Sequence, residues 1–154
     1  MKSFSRYQTL HNCSFVTQFT SVLGMSKNAT EAKYILFVFF KVIRKYIPPF
    51  NFRAFLAFLP SDFESFFTKD NKNRFLKKFD YDEFINALFL EKKMKHYNLF
   101  CSTNEVEVAV SAVFEAIKQQ ITENQYKDFM SNIPLDLRKI LLKDYVFDGH
   151  NYIV

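Results

Sequence analysis

The residue types that most often carry chemistry are few and scattered in this chain. His11, His96 and His150 lie far apart, and none forms the i, i+4 pair with which a helix offers two imidazoles to a metal. His96 sits among Lys92, Lys93 and Lys95, whose charge would repel a cation. Cys13 and Cys101 stand 88 residues apart, a spacing that suits neither a zinc site nor a redox motif, and one pair makes no disulfide framework. They read as small core residues in a reducing compartment. Asp80, Asp82 and Glu83 form the one tight acidic cluster. It falls where a helix N-terminus favours negative charge, so capping accounts for it better than acid–base catalysis or a cation site does. Gly24 and Gly149 are the only glycines, which excludes a Walker loop, a dinucleotide fingerprint and a nucleophile elbow. Distant residues can still converge in a fold, but no catalytic residue can be named. The chain is expected to be non-enzymatic, with no metal and no cofactor.

Whatever the chain does must therefore rest on its surfaces, and on the elements that shape them. Its 154 residues are 49% hydrophobic and 24% charged, with a net charge of +5. That length suits one compact domain or two small halves sharing a core, and the apolar share is too high for a disordered chain. Two glycines argue against turn-rich β architectures. What remains is a mostly helical soluble protein with a core rich in phenylalanine (21 Phe, no Trp). The polar start Ser3-Phe4-Ser5-Arg6 is no signal-peptide core, so the sequons at Asn12 and Asn28 read as accidental and the expected location is cytoplasmic. The most apolar run, Tyr34 to Phe40, is seven residues long, against about 20 for a membrane span, so no membrane association is expected.

Shifted by 74 residues, the sequence matches itself without a gap, with twelve identities over the 64 pairs 7–70 and 81–144. Faces, caps and breakers repeat as well. In the second copy Val106, Ala109, Val110, Val113, Phe114, Ile117 and Ile121 leave one apolar helical stripe, behind a capping box of Ser102 and Glu105. In the first, Asn28 and Glu31 precede Ala32, Ile35, Leu36, Phe39, Phe40, Ile43 and Ile47. A shorter helix follows each, carrying Phe52, Phe55, Leu56, Leu59 or Tyr126, Phe129, Met130, Ile133. Thr122 with Gln125 offers the second short helix a box, and Pro48-Pro49 opens the first. Pro60 and Pro134 end those helices and start the next, with Asp62 and Asp136 in the first turn.

The predicted architecture is all-α: two similar four-helix units packed with pseudo-two-fold symmetry into one bundle. The first, 1–74, has helices at about 5–24, 29–47, 50–59 and 61–69; the second, 75–144, at about 80–98, 103–121, 123–132 and 135–144. Residues 145–154, with an Asp148-Gly149 turn signal, form a tail that is either a small hairpin or an extended docking strand.

Two stretches carry a resemblance: 105–117, reading EVEVAVSAVFEAI, and 126–138, reading YKDFMSNIPLDLR, with 52–63, FRAFLAFLPSDF, as the partner in the first copy. Each half resembles a bacterial family catalogued only as domain of unknown function 2267. Its members carry a paired helical repeat with an alanine-rich amphipathic helix, a short polar helix and a Leu-Pro turn. The likeness covers about residues 5–144, and departs from the family in the phenylalanine load and in Ile133 where leucine is usual. It implies a fold and, because no activity goes with the family, no functional residues.

The two copies then serve as an internal comparison. Residues 1–76 hold 11 Lys/Arg and 4 Asp/Glu, net +7; residues 77–154 hold 10 and 12, net −2. Lys33, Phe37, Lys41 and Arg44 share a stripe predicted to lie opposite the core, where the second copy has Glu107, Ser111, Glu115 and Lys118. Tyr46, Phe50 and Phe58 replace Gln120, Asn124 and Asn132. Exposed phenylalanines have no folding rationale, so these rings must be covered by something. They complete the core against the second unit or a neighbouring subunit, or they form a protein interface rimmed by Arg44, Lys45 and Arg53, or the basic, aromatic face binds nucleic acid. A mild net charge weighs against nucleic acid, which stays as the alternative. The expected interaction surface is thus Lys33, Phe37, Lys41, Arg44, Lys45, Tyr46, Phe50, Arg53 and Phe58. The expected function is that of an interaction or regulatory module in a bacterial cytoplasm, binding another protein or self-associating basic face to acidic face.

Overall fold

The computed structural model describes residues 15–24, 27–47, 77–91, 99–131 and 133–142; of 139–142 it describes the backbone alone. The helices expected at 50–59 and 61–69, the tail 145–154, and the residues Phe50, Arg53 and Phe58 lie outside the described residues. The regular elements are all helical: α1 (Phe15–Leu23), α2 (Ala29–Ile43), α3 (Tyr81–Leu90), α4 (Thr103–Lys118), α5 (Glu123–Met130) and a 3₁₀ segment, Leu135–Leu142. No strand occurs among the described residues.

Local chemistry explains where these helices start. Asn28 accepts from the Glu31 N–H at 2.9 Å, while the Glu31 carboxylate accepts from the Asn28 N–H at 3.0 Å. Thr122 and Gln125 make the same reciprocal box for α5. Both satisfy backbone donors that a helix start leaves unpaired. Ahead of α4 the box is displaced: Ser102 accepts from Glu105, but the Glu105 carboxylate reaches one residue further back, to the Cys101 N–H. Helix α1 ends on Gly24, whose φ of 58° lies in the left-handed region that a side chain would disfavour. Its N–H closes the helix on the Thr20 carbonyl.

Several helices stop earlier than the apolar pattern suggests. Beyond α2, Lys45 and Tyr46 donate to carbonyls three residues back, as Gln120 does beyond α4. The apolar stripe thus continues to Ile47 and Ile121 on a tightened last turn rather than on α-helix. Helix α3 ends at Glu91, whose ψ of 135° is extended; residues 92–98, expected to prolong it, are outside the described set. After Pro134, the segment expected as α-helix is 3₁₀, begun by the Leu137 N–H on the Pro134 carbonyl.

Helix α4 touches every other described element, and α2 touches α1, α3 and α4. This position makes both helices more deeply covered than one stripe requires. Val38 and Val42 on α2, and Val108, Ser111, Ala112 and Ala116 on α4, are buried in addition to the predicted faces. Phe39 is the centre of the core, with its ring edge-to-face on Phe40 at 5.3 Å and on Phe84 and Phe114 at 6.1 Å each. It therefore joins α2, α3 and α4 through geometry that the ring quadrupole favours.

Candidate interaction surface

The basic stripe of α2 is less open than its spacing implied. Lys33, Phe37, Lys41 and Arg44 are half-buried, and Lys45 is exposed. The Phe37 ring packs on the rim of the core. Lys41 lies 3.6 Å from the carboxylate of Glu91, at the end of α3, so one cation of the expected surface is already paired.

Tyr46 does not belong to the surface. It is only 7% exposed, and its ring packs edge-on against Phe79 at 5.1 Å and Phe84 at 6.0 Å. The correction has a clear cause. The chain leading into α3 is laid across the end of α2, with the Lys77 N–H bonded to the Lys45 carbonyl at 2.9 Å. The Tyr46 hydroxyl donates to Glu83 Oε1 at 2.8 Å, and Lys77 Nζ lies 3.2 Å from the same oxygen. Burial first, and then the bond to anionic Glu83, push the Tyr46 phenol up to about 12. The bond from Tyr46 first, and then Lys77, hold the Glu83 carboxyl below its usual range. By spacing alone, Glu83 belongs with Asp80 to the cap of α3. Asp80 does accept the Glu83 N–H at 2.9 Å, but the Glu83 side chain serves Tyr46 and Lys77 instead. No sequence signal joins residues 46 and 83, which meet only because α2 and α3 pack together.

The corresponding stripe of α4 is not an open acidic face either. Ser111 is buried, and Glu107 and Glu115 are half-buried. Glu107 accepts from the Tyr81 hydroxyl of α3. Glu115 accepts from Gln119 at 2.9 Å, and Gln119 in turn accepts from Gln18 on α1. The Tyr126 phenol is pushed up to about 12, by burial and then by the charge of Glu115. Gln120, the counterpart of Tyr46, is 1% exposed, and its side-chain nitrogen has no hydrogen-bond partner.

Among the described residues a shallow recess, with barely room for one water molecule, lies between α2, α3 and α4, lined by Ile35, Phe39, Leu88, Phe100, Val106, Ala109, Val110 and Val113. Every lining residue is apolar, so the recess holds no acid, base or nucleophile. Among the described residues no three His, Cys, Asp or Glu side chains gather to hold a metal, and no helix is long and apolar enough to cross a membrane. Cys101 is a free, exposed thiol.

A model of the family described as "Uncharacterized conserved protein (DUF2267)" matches residues 13–140, well over half of the chain. No curated protein and no solved structure matches.

Proposed function

The chain belongs to the DUF2267 family, and from that premise we propose that it is a non-enzymatic helical interaction module acting in a bacterial cytoplasm. Its contact surface is the basic, aromatic edge of α2, and its partner is another protein or a second copy of the chain. The observation that carries this reading is the contrast at one register position: Phe37 is half-buried on the rim of the core between Lys33 and Lys41, where α4 places a buried serine, Ser111. An aromatic ring at a solvent boundary among cations is the composition of an interface edge.

The module is built from two similar units related by an approximate two-fold. The supporting observations are the shared burial of the two long helices and of the turn after each, position for position, at Ala32 and Val106, Phe40 and Phe114, Ile43 and Ile117, and Ile47 and Ile121. The packing is also reciprocal: α1 of the first half lies on α4 of the second, and α3 of the second lies on α2 of the first.

The test places a photo-crosslinking amino acid at position 37 and, as a control, at exposed position 124, in the source cell and in purified protein. Adducts of defined mass from position 37 alone, lost in a Lys33→Glu, Lys45→Glu variant that keeps its helicity, are the expected result. Equal labelling from both positions refutes the surface. A gel shift with nucleic acid at low salt, abolished by the same charge reversals, replaces the protein partner by the alternative one.

A further inference from the structure

We draw no further inference here: the strongest candidate, the apolar recess between α2, α3 and α4 with Phe100 in its wall, carries none because nothing in the structure shows what covers it.

Discussion

Replacing Gln120 by methionine should stabilise this protein. Gln120 is 1% exposed, just past the end of α4, and its side-chain nitrogen donates to nothing. A buried donor without an acceptor forfeits its hydration, at a cost of about 1–3 kcal/mol. Methionine keeps the unbranched shape and similar volume of glutamine and is flexible enough to fill the same space. Allowing for imperfect repacking, Gln120→Met is expected to gain about 1 kcal/mol, which raises Tm by roughly 2–4 °C in a chain of this size. Urea unfolding monitored by far-ultraviolet circular dichroism reads the effect as a higher midpoint at constant slope. Two further substitutions separate desolvation from packing. Gln120→Ala removes contacts as well as the amide, and should be less stable than the methionine variant. Gln120→Glu buries a charge, and should cost about 3 kcal/mol or more at neutral pH, with partial recovery in acid. If Gln120→Met proves less stable than the parent by 1 kcal/mol or more with an unchanged slope, the amide is bonded in solution and the reasoning fails.

The remaining predictions concern the core, pH and a helix end. Phe39→Ala removes the ring shared by α2, α3 and α4 and should cost about 4–5 kcal/mol, while Phe39→Leu should cost about 1–2 kcal/mol; equal, small losses in chemical denaturation would displace Phe39 from the centre. Tyr46 and Tyr126 both ionise near 12 in the fold, against 10 unfolded. Their contribution to stability is therefore complete below pH 10 and is lost as the pH rises toward 12, a decline that Tyr46→Phe should reduce in pH-dependent unfolding. On the acid side the Glu83 carboxyl is lowered, so its contribution is present above its ordinary value and lost as the pH falls through the folded one. In Tyr46→Phe its titration, followed by carboxyl NMR shifts, should move back up. Gly24→Ala forces a side chain into a left-handed φ of 58° and should cost about 1 kcal/mol or more in thermal unfolding.

Particular residues show how far local pattern reaches. The pairs Asn28 with Glu31 and Thr122 with Gln125 announce helix starts because a capping box spans only three residues, and both boxes form. Ser111 shows the limit. Its helix has one predicted apolar stripe, so a serine off that stripe reads as solvent-facing, yet it is buried. Periodicity reports which face is apolar; it does not report how many neighbours a helix has, and α4 has every other described element around it. The candidate surface divides in the same way. Lys45 is exposed, whereas Tyr46, next in the chain, is covered by Phe79 and Phe84 from a segment more than thirty residues away.

By itself, then, the sequence determined the helical class, the starts of α2 to α5 and the apolar faces of the two long helices, since each rests on residues within a turn or two of one another, and it determined the family. Tertiary structure alone decided that Phe39 is the centre of the core, that Glu83 turns from its cap to Tyr46 and Lys77, that Lys41 is paired with Glu91, and that Gln120 is buried without a partner. The physical reason is range: a cap or a stripe is satisfied within one helix, whereas these contacts exist only once separate helices are pressed together, and no spacing rule along the chain encodes which side chains then meet.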